Sequence, residues 1–233
     1  HSSYELYVKN DLDTKYDTNG DSRFRIGGEY RLSARHSIGT EINLQMKDGI
    51  DNLSNRNRIF LAADKENPFY ESISLTRKDY DRNYYTGNIY HTYRSNSGII
   101  IKTFTDISRY SNHTNNKIGD TNITWIDDYN ETKDQLILQT DLKIPLAGNY
   151  SLNVGFKYDY KDNQSEMETN RFDGSLIWSN SYYYKENIGA GYTTFSTSTD
   201  KYALTAGLRA EYSNTDSWSN TFSDKNIHWD IFP

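Results

Sequence analysis

Cysteine is absent from the 233 residues, proline occurs three times and methionine twice. Without cysteine there is no disulfide framework, no thiolate zinc site and no thiol nucleophile. No run of about 18 apolar residues occurs, which excludes a membrane-spanning helix. Nor is there a block of one charge. The 26 Lys and Arg stand against 32 Asp and Glu, a formal charge of −6, whereas a nucleic-acid binder clusters its cations. Leu, Ile and Val are too sparse for an ordinary buried core, and mean hydropathy is −0.90. His1 opens directly on polar, strand-like sequence, and no signal peptide is read there.

What is present is tyrosine, with 21 copies and aromatics at 15% of the chain. Disordered chains are poor in aromatics, so this one is expected to fold. Its dominant pattern is a period of two. Tyr150, Leu152, Val154, Phe156, Tyr158 and Tyr160 alternate with Asn149, Ser151, Asn153, Gly155, Lys157 and Asp159. Leu136, Leu138, Thr140, Leu142 and Ile144 do the same against Gln135, Gln139, Asp141 and Lys143, with Ile137 as the break. Further examples are Tyr202 to Tyr212, Phe24 to Leu32 and Ile38 to Met46. Strict alternation means strands with one apolar and one polar face.

Length narrows the choice. Strands of soluble sandwiches run about 5–6 residues, and a tilted strand of about 9–11 crosses a bilayer. Tyr150 and Tyr160, like Tyr202 and Tyr212, bracket aliphatic centres, where the aromatic girdles of a membrane barrel belong. The pattern predicts an all-β, antiparallel up-and-down transmembrane β-barrel of about twelve visible strands. It would form a single domain over 1–233, or part of a larger barrel.

Connections sort into two sets. Short turns are expected near 34–36, 65–68, 94–97, 147–148 and 196–200, on the periplasmic side. The other set comprises 11–21, 48–54, 79–82, 109–132, 162–181 and 214–227, on the extracellular side. Water-facing loops commonly carry ligand contacts. The candidates are Trp125, Asp127, Asp128 and Trp218, with solvated filler as the alternative.

On the polar parity fall Arg23, Arg25, Glu29, Arg31, Glu41, Asp141, Lys143, Lys157, Asp159, Arg209 and Glu211. In a barrel these would face the lumen, either pairing across strands to fix register or forming a polar conduit. Their mixed sign gives no ion selectivity.

Sites for chemistry are not visible. The five histidines (His1, His36, His91, His113 and His228) lack ligand spacing along the chain. Asp17, Asn19 and Asp21 begin like a calcium loop, but Gly28 stands where its closing Glu belongs, so a polar hairpin turn is the expectation. Gly189 and Gly191 form a bare G-x-G inside a strand, without a following helix, and read as relief of crowding or a source of curvature. No nucleophile elbow occurs and no carboxylate pair stands out. The expectation is a non-enzyme without a cofactor or metal.

Three stretches carry a resemblance. YYYKENIGAGYTTFSTSTDKYALTAGLRAEYSNT followed by HWDIFP, FRIGGEYRLSARHSIGTEINL, and QTDLKIPLAGNYSLNVGFKY are similar to barrel segments of TonB-dependent-receptor-type outer-membrane proteins. GLRAEYSNT, from Gly207 to Thr215, is the sharpest match, with Phe232–Pro233 like the F-P pair opening a following strand. The resemblance implies a bacterial outer-membrane location, lipid as a partner and energised uptake of a small-molecule nutrient. It also implies an N-terminal plug domain and a TonB-type energy-coupling protein. No plug-like segment is read in this chain, so a barrel fragment is expected. Two other functions stay open: a smaller passive porin or structural barrel, and a soluble glycan-binding β-protein whose apolar parity faces a core.

Overall fold

The computed structural model describes residues 6–61, 66–119, 123–220 and 223–232. These form one nine-stranded antiparallel sheet in sequential order. The strands are β1 (Leu6–Arg31), β2 (His36–Leu61), β3 (Tyr70–Arg94), β4 (Ile100–Gly119), β5 (Ile123–Pro145), β6 (Tyr150–Arg171), β7 (Leu176–Ser198), β8 (Ala203–Ser219) and β9 (Ser223–Phe232). The sheet is open between β1 and β9.

The expected count of about twelve strands is corrected to nine among the described residues. The segments 11–21, 48–54 and 79–82, expected as connections, are interiors of β1, β2 and β3. Their Asn, Asp and Gly content reads as loop because neither face of the strand meets apolar surroundings there. Period two disappears, yet backbone pairing continues. Asp17 to Asp21 is likewise not a hairpin turn: the register slips between Thr18 and Gly20 opposite Gly49 and Asp48, a bulge inside β1.

The turns after β1, β3, β5 and β7 close the strands at one rim, near the predicted positions. Gly148, at φ 70°, occupies the positive region that lets the turn between β5 and β6 close. Residues 66–69, just before β3, lie at the opposite rim, because β2 runs unbroken from the first turn to Leu61. The expected placement of 65–68 with the short periplasmic set is therefore corrected. Residues 62–65, 120–122 and Pro233 lie outside the described residues.

Register shows how the faces are built. Direct partners in an antiparallel ladder share a face. One row runs Phe24, Leu44, Tyr85, Arg109 and Asp134. Another runs Ile26, Ile42, Gly87, Ile107, Leu136, Tyr160 and Asn187. A third runs Thr105, Leu138, Tyr158, Gly189 and Tyr212. Together these rows make a largely apolar band beside the short-turn rim, interrupted at its upper side by Arg109, Asp134 and Asn187. Tyr30, Tyr93, Tyr150 and Tyr202 edge it below, and Tyr85, Tyr158, Tyr160 and Tyr212 edge it above.

Beyond the band the same face changes character. Asp48, Asp81, His113, Asn130 and Glu166 form one row. Asp79, Asn115, Asp128 and Glu168 form the next. At about 3.3 Å per residue, a strand such as β3 is roughly 80 Å long, far more than the ~9–11 residues a tilted strand needs to cross hydrocarbon. The apolar band covers only one end of these strands.

The described residues form no hydrophobic core. Among the described residues, the buried apolar side chains are Phe60, Tyr80 and Ala190. Phe156 is 55% exposed, Ile89 57% and Leu208 60%. A sandwich would cover this face with a second sheet. The apolar face is exposed here, not buried as the soluble glycan-binding alternative requires.

Candidate functional site

The register carries all eleven sequence-selected charges onto one face, opposite the apolar band. Arg23 pairs with Gln45, Arg25 with Asn43, Gly27 with Glu41, Glu29 with Gly39 and Arg31 with Ser37. Asp141 is opposite Gly155, Lys143 opposite Asn153 and Asp159 opposite Ile137. Lys157 faces Ala190, which faces Glu211, and Tyr192 faces Arg209.

Several of these residues meet. Arg25 Nη2 donates to Glu41 Oε2 at 2.7 Å. Arg23 grips Asp21 through two hydrogen bonds of 3.1 Å. Lys157 donates to Asp159 at 3.2 Å, and Gln135 donates to the other carboxylate oxygen at 2.8 Å. Arg209 Nη2 reaches Glu211 at 2.7 Å. Many of the partners sit two residues apart along one strand, where side chains share a face. Arg25, Glu29, Glu41, Asn88, Tyr90 and Asp106 line a shallow concavity of about 640 Å³.

The centre of this face is a group that charge counting missed. The hydroxyl of Tyr192 donates to Asp141 Oδ1. Gln139 Nε2 donates to Asp141 Oδ2 at 2.9 Å and to the Tyr192 hydroxyl at 3.0 Å. The Arg209 guanidinium stands 5.8 Å from the Tyr192 ring centroid. This arrangement spans β5 to β8 and depends on Gly155, over which the ring lies.

The motif recurs. Gly39 pairs with Tyr90 and Gly49 with Tyr80; a Cβ at either would meet the tyrosine ring within 3 Å. The Tyr80 ring also has the Arg82 guanidinium 4.5 Å from its centroid. A glycine on the polar parity was the available sequence signal, but its tyrosine partner is fixed only by register. Gly189 and Gly191 do not relieve crowding, since a Cβ at either would meet nothing within 4 Å.

The four loop candidates lie on strands. Trp125, Asp127 and Asp128 open the described part of β5, and Trp218 ends β8. They are not gathered into one site. Trp125 and Asp127 share the polar face, where Asp127 accepts a 2.7 Å hydrogen bond from Thr169 Oγ1. Asp128 points to the opposite face, 3.4 Å from His113 Nδ1. Trp218 is on that same face, opposite Tyr183, with β6 and β7 between them.

Among the described residues no group of three or more metal-ligating side chains converges. The arrangement is a hydrogen-bonded polar wall.

Residues 101–233 match the outer membrane protein beta-barrel family. The chain belongs to that family. As a member of it, it is a protein of the bacterial outer membrane. Two solved structures share its fold. The ferric yersiniabactin uptake receptor FyuA from Yersinia pestis aligns with a TM-score of 0.57 at 10% identity, over 99% of this chain and 43% of that one. The ferric citrate transporter FecA in its unliganded form aligns with a TM-score of 0.50 at 8% identity, over 94% of this chain and 41% of that one. This family member thus shares its fold with parts of both proteins and spans less than half the length of either. No curated protein matches its sequence.

Proposed function

We propose that this chain is part of the barrel wall of a TonB-dependent receptor that takes up a small-molecule nutrient. One observation carries the reading: long strands whose outer face turns from apolar to charged partway along, while the opposite face is mostly polar and cross-linked where it backs the apolar band. The first feature fits a bilayer below and water above. The second fits an aqueous interior wide enough for a plug domain or a solute. Further strands close the wall, because unpaired backbone groups at the edges of β1 and β9 cost several kcal/mol each in lipid. The eleven charges line the lumen and hold register and plug, and the wall performs no catalysis of its own. Trp125 and Asp127 meet incoming solute at the projecting rim, which faces the cell exterior. A TonB-type protein supplies the energy. Likeness of fold to a ferric yersiniabactin uptake receptor and a ferric citrate transporter supports this reading.

The wall is tested with single cysteines at Leu152, Asn153, Val154 and Lys157 in the cysteine-free sequence. Each variant meets a water-soluble maleimide in detergent and then in bilayers. Protection of positions 152 and 154 by lipid, with 153 and 157 still reactive, is the expected result. Protection of all four in detergent alone overturns it. For uptake, cells with and without the protein are compared for accumulation of labelled ferric chelates, cobalamin and oligosaccharides. Accumulation lost on adding a protonophore supports energised transport; flux that survives it indicates a passive porin instead.

A further inference from the structure

His36 and His91 are separated by 55 positions and share no sequence motif, yet β2 and β3 bring them together at the short-turn rim. Ile38 pairs with His91 and His36 with Tyr93, so the two imidazoles lie diagonally on the lipid-facing side. His36 Nδ1 and His91 Nε2 are 3.1 Å apart. The rings are stacked at 5.3 Å between centroids, and Tyr93 packs on His36 at 4.7 Å. Both histidines are half-buried, level with the tyrosines that mark the lower edge of the band.

We infer that this pair is a binding site for a divalent transition cation of borderline softness. Two neutral imidazoles can share one N–H···N hydrogen bond, but a proton on both rings would set two donors against each other. A cation instead takes a lone pair from each ring. With metal–nitrogen bonds of about 2.0–2.1 Å, the observed separation corresponds to an N–metal–N angle of roughly 100°, between octahedral and tetrahedral values. Imidazole suits zinc, copper and nickel, and copper binds most tightly in the general order. No third His, Asp or Glu joins the pair among the described residues. The remaining positions fall to water, and binding is exchangeable rather than that of a closed structural site. Bound metal ties the first residue of β2 to the end of β3, where the sheet meets the membrane interface. The site lies on the face opposite the proposed lumen, so it stands or falls independently of uptake.

The test uses the full-length protein extracted from outer membranes in detergent, with Cu²⁺ and Zn²⁺ as probes. Copper electron paramagnetic resonance is expected to show a centre with two coupled imidazole nitrogens. His36→Ala and His91→Ala are each expected to abolish that signal and weaken zinc binding at least tenfold by calorimetry. His113→Ala is expected to leave both unchanged. Folding of each variant is read from heat-modifiable gel mobility. If an alanine variant fails to fold, His36→Gln and His91→Gln provide the same readout. Copper and zinc binding equal in the wild type and in folded His36 and His91 variants overturns the inference.

Discussion

The ring of Tyr192 lies over Gly155, its direct cross-strand partner, so closely that a Cβ on residue 155 would sit 2.2 Å from Cζ of the tyrosine. This contact lets the Tyr192 hydroxyl reach Asp141 and Gln139 on β5, a strand away from β7. Gly155→Ala is expected to push the ring off its seat, break both hydrogen bonds and destabilise the barrel by about 1–3 kcal/mol. Gly189→Ala, with open space around the new methyl group, is expected to change stability by less than about 0.5 kcal/mol. Urea unfolding of the two variants in phospholipid vesicles separates these outcomes; equal effects would remove the special role of the Tyr192–Gly155 contact.

The height of the lipid belt is open to a paired substitution on one strand. Val154 and Glu168 both belong to the outer parity of β6, one inside the band and one beyond it. Val154→Arg is expected to cost about 2–4 kcal/mol of insertion stability, the value for a cation near the bilayer midplane. Glu168→Arg is expected to stay within about 0.5 kcal/mol. A large penalty at position 168 would place the membrane higher on the strands than the residue pattern does.

At the turn between β6 and β7, the Ser175 hydroxyl and backbone N–H donate to Asp173 Oδ1 at 2.6 and 2.9 Å. These donors hold the Asp173 carboxyl below its ordinary pKa. A depressed carboxyl contributes stability above its unfolded value, near 3.9. That contribution is lost as pH falls through the lower folded value. A chemical-shift titration is expected to give a midpoint for Asp173 below that of an unstructured aspartate. Ser175→Ala should move it upward; an unmoved midpoint would show that the hydroxyl is not its cause.

Exposed ion pairs of the polar face add little stability. The Arg25 and Glu41 side chains are 70% and 34% exposed, and exposed pairs are worth about 0.2–1 kcal/mol. A double-mutant cycle of Arg25→Ala and Glu41→Ala is expected to return a coupling in that range. A coupling above about 2 kcal/mol would mean that the pair is desolvated within the assembled barrel.

The membrane-crossing half of the protein was legible because two solvents meet there. Lipid on one face and water on the other force residues such as Leu152 and Asn153 into strict alternation, and the bilayer fixes the length of the alternating run. The projecting half was misread for the complementary reason. With water on both faces, stretches such as 48–54 and 79–82 carry no alternation, and their Asn, Asp and Gly resemble loop. Nothing local distinguishes a wet strand from a wet loop; only hydrogen bonds to the neighbouring strands do.

The same division applies to the polar face. Sequence parity alone determined that Arg25, Glu41, Asp141 and Arg209 share a side, because side-chain direction in a strand is a property of position. It could not determine which of them meet, or that Tyr192 and Gln139 rather than a charge pair hold Asp141. Nor could it bring His36 to His91. Those contacts depend on register between strands, and register is set by pairing along the full strand length. A slip of one residue would exchange the faces of an entire strand, and only the assembled sheet excludes it.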